Sequence, residues 1–128
     1  MKQFDEWNEV KKETEHENAP VFFKERDIFW VRVGENVGFE QNGKGDEFQR
    51  PVIIVKKYSP QMFLGIPLST THREGSFFYP FSFEAGKMST ALLIQHKLFS
   101  SKRLMKKIGK INMGNFSEMK EKLVELIR

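Results

Sequence analysis

Apolar positions recur along this chain first at helical spacing and then, after residue 20, at alternating or unbroken spacing. Phe4, Trp7, Val10 and Lys11 share one stripe with acids opposite, which predicts a short amphipathic helix over 4–15. Asn18-Ala19-Pro20 ends it, because the residue before proline is pushed out of the helical region. Asp27–Val33 is rich in β-branched and aromatic residues and reads as a strand. Gly34–Gln49 carries four glycines and reads as a loop of a length often functional in small domains. Pro51–Lys57 is nearly all apolar at first and so predicts a central strand. Gln61–Leu68 is a third strand, Ser69–Gly75 a polar gap, Ser76–Phe83 an aromatic-rich fourth, and Gly86-Lys87 a turn. Ser89–Gln95 predicts a fifth strand, Ser100-Ser101 a turn, and Ile108–Ile111 a short strand or turn. The last helix is expected from Asn115–Ser117 onward, with Asn115 or Ser117 as N-cap and Met119, Leu123, Leu126 and Ile127 as its apolar stripe. Five or six closely spaced strands flanked by helices point to a mainly β, α+β fold built on a small, curved antiparallel barrel.

Composition narrows the classes. The 128 residues suffice for one domain, read as an N-terminal helical extension over 1–20 and a folded unit over 21–128. With no cysteine, disulfide frameworks, thiolate metal sites and cysteine nucleophiles are excluded. No apolar run approaches the ~18 residues of a membrane span, and MKQFDEWNEVKK lacks the apolar segment of a signal peptide. A soluble, cytoplasmic protein is the expectation. Net charge is +4, but residues 1–18 hold six acids and three bases, a net of −3. The remaining 110 residues therefore carry a net of +7. A basic body on a small domain suits a polyanion, usually nucleic acid, although a solvated lysine-rich surface gives the same count.

Four features carry candidate chemistry, each with a plainer alternative. Glu40-Gln41 in the glycine loop could be exposed polar residues. Arg50 before Pro51 could be a strand-flanking cation. Ser69-Thr70-Thr71 could make turn hydrogen bonds. His72-Arg73 could simply face solvent. Taken in order with Asp27-Ile28-Phe29-Trp30-Val31, Glu40-Gln41, Arg50-Pro51-Val52, Pro67-Leu68-Ser69, Gln95, Lys97, Arg103-Leu104 and Ile108-Gly109, they resemble the PemK/MazF family of toxin endoribonucleases over residues 25–127.

The resemblance implies a compact SH3-like barrel that forms a homodimer. It also implies metal-independent cleavage of single-stranded RNA or mRNA without a cofactor, and a cognate antitoxin that occupies the RNA groove. It assigns Arg50, Ser69 and Glu40 to catalysis. Gln41, Thr70, His72, Arg73, Gln95, Lys97, Lys102 and Arg103 are assigned to RNA contacts, and no residue to a metal. Such cleavage must deprotonate the 2′-OH, stabilise the charge on phosphorus and protonate the 5′-oxygen. Arg50 offers a forked cation and Ser69 a hydroxyl donor. Glu40 is read as base or arginine-orienting group, and His72 as a further acid–base or contact residue. The chain departs from the family pattern at Ser69 for threonine, at Ile94 and Ser100 for acids, at Lys97 for arginine, and by added residues between Gln41 and Arg50. The bases from Lys102 to Lys110 are expected to grip phosphate. Two rivals remain: a non-catalytic RNA-binding SH3-like module, which binds RNA without cutting it, and a protein-binding adaptor, which shows no salt-dependent RNA affinity.

Overall fold

A computed structural model describes residues 21–33 and 49–128. The expected helix over 4–15 and most of the glycine loop, Glu40 and Gln41 included, lie outside the described residues.

Seven strands and one helix follow in order: β1 (Asp27–Arg32), β2 (Gln49–Ser59), β3 (Met62–Ser69), β4 (Phe78–Glu84), β5 (Lys87–Leu92), β6 (Lys97–Ser100), β7 (Leu104–Lys110) and α1 (Met113–Ile127). All described pairings are antiparallel, in the order β4-β5-β3-β2-β1-β7, with β6 also paired to β3. The mainly β expectation holds.

The barrel expected from the sequence is not closed. No ladder joins β6 to β7 among the described residues; the 3₁₀ turn Ser101–Arg103 carries the chain from one to the other. That turn is nucleated by Ser100, whose Oγ accepts from the Lys102 N–H at 3.1 Å. The sheet is therefore open, with β4 and β7 as edges, and its curl is completed by covalent chain instead of hydrogen bonds.

β2 lies at the centre and is apolar on both faces. Val52 and Ile54 join Phe23, Phe29, Val31, Phe63, Phe99 and Leu104 in an inner core. Ile53 and Val55 join Ile28, Ile66, Leu68, Tyr79, Phe81 and the apolar stripe of α1 in an outer core. An unbroken apolar run is what a strand covered on both faces requires, so the reading of Pro51–Lys57 as central holds. Gly65 is forced by the inner core. A Cβ there would lie 2.6 Å from Val52 Cγ1 and 3.0 Å from the Phe63 and Phe99 rings.

Three expectations fail on particulars. The expected strand Ser89–Gln95 stops at Leu92 and turns into a 3₁₀ helix, Leu93–Gln95, after which β6 occupies Lys97–Ser100, where no element was expected; the turn expected at Ser100-Ser101 is present as the 3₁₀ turn Ser101–Arg103. The break lets the β3 edge exchange partners, from β6 at Gly65 to β5 at Leu68. The expected short element at Ile108–Ile111 is the end of a seven-residue strand, β7. The helix starts at Met113 with Asn112 as N-cap, its Oδ1 accepting from Asn115 N at 2.7 Å. Neither Asn115 nor Ser117 caps, because burial of Ile111 against the outer core fixes the chain one turn earlier.

α1 is tied to the sheet through Tyr79. Its hydroxyl lies 2.6 Å from Glu118 Oε1 and 3.0 Å from Asn115 Oδ1. A phenol has one proton and donates it to the carboxylate; the Asn115 amide serves the phenol oxygen when its NH2 faces it. Burial, then the hydrogen bond and charge of Glu118, push the Tyr79 pKa well above its ordinary value.

Gly65→Ala should destabilise the fold by about 1–3 kcal/mol through overpacking, read as a lower urea midpoint at unchanged m-value. A midpoint equal to wild type would mean that Val52 and both rings yield freely. Tyr79→Phe should cost about 1 kcal/mol at neutral pH. Because the folded-state pKa is raised, that contribution is full below about pH 10 and lost as pH climbs toward the folded value. The melting-temperature gap between wild type and variant should therefore narrow above about pH 10; a constant gap would contradict the coupling.

Candidate functional site

The registers align a row of residues across the sheet. Leu104 of β7 pairs with Val31, and Val31 pairs with Arg50. On the other side, Ser69 pairs with Thr90 of β5. The β2–β3 ladder ends at Val52 and Pro67, where proline removes a donor. Arg50 and Ser69 each lie two residues beyond that last pair, on neighbouring strands. Strand alternation puts Val31, Arg50 and Ser69 on the inner-core face, at the rim where β2 emerges from between the two cores.

Arg50 is half-buried there, and burial draws its pKa below the usual arginine value. It nonetheless remains a cation at any physiological pH. A partly desolvated guanidinium is stabilised by an anion that docks against it, more so than a solvated lysine. Ser69 Oγ accepts from the Thr71 N–H at 3.0 Å, which leaves its own proton to donate elsewhere. Thr90, almost fully buried beside it, escaped the sequence reading. A hydroxyl inside the otherwise apolar stretch Thr90–Leu93 was the available signal.

The other expected residues sit around this row. Arg103 Nη1 donates to the Arg32 carbonyl at 3.2 Å, at the end of β1 beside Arg50. Arg32 pairs with Gln49, so both anchors of the segment carrying Glu40 and Gln41 lie next to Arg50. Thr70, His72 and Arg73 occupy the exposed turn after β3, where His72 Nε2 lies 3.1 Å from Glu74 Oε2. Lys122 of α1 braces this turn by donating to the Gly75 and Phe78 carbonyls at 3.2 and 2.8 Å. Gln95 is exposed in the 3₁₀ helix alongside β3. Lys97 pairs across from Gly65, four residues along β3 from Ser69, with its ammonium 5.1 Å from the Phe99 ring centroid. Lys97 is therefore displaced from the row.

The bases from Lys102 to Lys110 do not form one face. Lys106 and Lys107 point to opposite sides of β7. Lys107 Nζ lies 3.1 Å from Oδ1 of the buried Asp27, whose Oδ2 accepts from Lys24 N at 2.9 Å. Lys107 is thereby engaged in holding β7 to the start of β1.

A family profile described as PemK-like, MazF-like toxin of type II toxin-antitoxin system matches residues 24–127. This chain belongs to that toxin family. Among solved structures, the toxin resembles Mycobacterium tuberculosis toxin MazF-mt6, at a TM-score of 0.62 and 15% identity, over 80% of this chain and 96% of that one. It also resembles MazF from Deinococcus radiodurans, at 0.65 and 14%, over 84% and 97% of the two chains. A mycobacterial endoribonuclease in complex with its cognate antitoxin matches at 0.63 and 10%, over 83% and 95%. Identities this low establish a shared fold. A search of curated proteins finds no matching sequence. No described helix of the toxin is long and apolar enough to cross a membrane.

Replacing Lys102 and Arg103 together with glutamine should lower RNA affinity and flatten its dependence on log salt by roughly 1–2 units. Lys107→Met should instead destabilise the fold by about 1–3 kcal/mol, since it leaves the Asp27 carboxylate buried without its cation. A melting curve and a salt titration of each variant separate the two; a Lys107→Met protein of normal stability would make the Asp27 contact incidental.

Proposed function

We propose that this toxin is an endoribonuclease that cuts single-stranded RNA by attack of the 2′-OH on the adjacent phosphorus. The reading rests on the partly desolvated Arg50 guanidinium and the Ser69 hydroxyl, each two residues beyond the last β2–β3 pair, in a chain of this toxin family. A phosphate placed between them receives the arginine fork on its non-bridging oxygens and a hydrogen bond from Ser69 Oγ. Both strengthen as charge accumulates in the phosphorane, which is where catalytic stabilisation acts.

The 2′-OH proton goes to a base, for which Glu40 is the proposed group, and the 5′-oxygen gains a proton as its bond to phosphorus breaks. The products are a 2′,3′-cyclic phosphate and a 5′-OH end, with no water consumed in this step. Thr70, His72, Arg73 and Gln95 are proposed to contact RNA on one side of the row, Lys102 and Arg103 on the other, and Lys97 further along β3, with Gln41 a further proposed contact. The mechanism as proposed needs no metal or other cofactor. The toxin is further proposed to work in the cytoplasm, as a homodimer, and to be held inactive by a cognate antitoxin; the relatives solved with their antitoxins support that partner.

Incubation with mixed-sequence RNA in EDTA, followed by end mapping, tests the reaction. Cuts bearing 5′-OH ends are expected; binding without cutting would leave an RNA-binding module. Arg50→Ala should lower the cleavage rate at least about a hundredfold, the scale of losing one donor to the transition state. Ser69→Ala should also be severe and Ser69→Thr tolerated. Full activity in a folded Arg50→Ala protein would remove Arg50 from the chemistry.

A further inference from the structure

Beyond the row of Arg50 and Ser69, the same sheet face continues onto an aromatic ring that the proposed chemistry does not use. Thr90 pairs with Pro80 on its far side, and Leu92 pairs with Phe78. Alternation along β4 sends Tyr79 and Phe81 into the outer core and therefore turns Phe78 and Pro80 to the face of Ser69 and Thr90. Phe78 is two strand spacings and two residues from Ser69, on the order of 12 Å at Cα.

The Phe78 ring is partly exposed, and the Arg73 guanidinium stands 5.7 Å from its centroid. Phe77, 46% exposed, meets it edge-on with centroids 6.3 Å apart. The backbone beneath is pinned from three directions. Phe78 N donates to Gly75 O, Leu93 N donates to Phe77 O, and Lys122 donates to Phe78 O. A core phenylalanine would be covered by apolar neighbours. This one stays partly exposed on a pinned backbone, under a cation.

We propose that Phe78 is a nucleobase-stacking platform and Arg73 its lid, so that a base flanking the scissile phosphate lies flat on the ring. An aromatic ring or a guanidinium plane is what unstacked RNA bases pack against, whatever their identity. The guanidinium now stands closer to the ring than the roughly 7 Å that two stacked layers need, so base entry moves Arg73 onto the outer face of the base. The inference rests on the RNA-cleaving reading. It adds that affinity on this side of the cut comes from stacking, and that Phe78 positions substrate without touching the reacting atoms.

The test uses the full chain and a single-stranded RNA that the toxin cuts, with abasic nucleotides substituted one at a time. In wild type, one position next to the cut should lose roughly five- to hundredfold in affinity when its base is removed. Phe78→Leu should raise KM by a similar factor with kcat nearly unchanged, and should erase the penalty at that one position. Phe78→Tyr should restore both. Arg73→Ala should weaken the same position in part. A Phe78→Leu protein with wild-type melting temperature, wild-type KM and an undiminished abasic penalty would overturn the platform while leaving RNA cleavage standing. A wild-type protein with no salt-dependent RNA affinity would overturn the RNA reading itself, and the platform with it.

Discussion

The two-sided burial of β2 is the constraint from which the rest of the architecture follows. Val52 and Ile54 face one core, Ile53 and Val55 the other, and all four are inaccessible or nearly so. A slip of one residue would exchange the two sets, so the register of β2 is held from both faces at once. Val52 in turn presses on Gly65 so closely that no side chain fits there. That contact fixes how far β3 slides along β2, and Ser69 lies four residues beyond Gly65 on the same strand face. The strand position of the hydroxyl at the candidate site is thus set by hydrophobic packing some 13 Å away, and its contact with the Thr71 N–H only orients it.

The same packing gives the cations of this surface different roles. Arg50 stands at the first point where β2 leaves the double core, near enough to be partly desolvated and far enough to reach solvent. Lys107 is committed to a buried carboxylate and Lys122 to two backbone carbonyls, so both act as structural ties. Lys102 and Arg103 ride on a three-residue turn at the surface. A net charge counts these five equally. Their environments do not, and only the partly desolvated arginine stands to gain much electrostatic energy from a phosphate held at fixed distance.

Much of this was legible along the chain. The apolar run at Val52–Val55 marked the central strand, Gly86-Lys87 the hairpin turn, and the spacing of Met119 and Leu123 the buried face of the last helix. What escaped depends on contacts distant in sequence. β6 is four residues long with an exposed lysine and leucine, and it exists because β3 has a free edge there. β7 looked like a basic run because one of its faces is solvent and the other tethers to Asp27. The helix cap fell on Asn112, three residues ahead of the Asn115 expected from the sequence. Arg50 and Ser69 stood out through family resemblance, but their alignment with Val31 and Thr90 is a property of register, and residues separated by up to 59 positions cannot display it locally.

The segment between β1 and β2 carries residues beyond the family pattern, Lys44, Asp46 and Glu47 among them. The cost of closing a loop grows only with the logarithm of its length, so a few added residues change it by a few tenths of a kcal/mol. The anchors are far stronger. Five consecutive pairs, from Ile28↔Ile53 to Arg32↔Gln49, hold β1 against β2, and the inner core covers Val31 and Val52 beside them. Added loop length therefore leaves Arg50 where the ladder sets it. The cation and the hydroxyl belong to the rigid sheet, while the proposed base belongs to a segment whose length can vary without disturbing them. A fold divided in this way can change that segment without rebuilding the two side chains proposed to bind a phosphate.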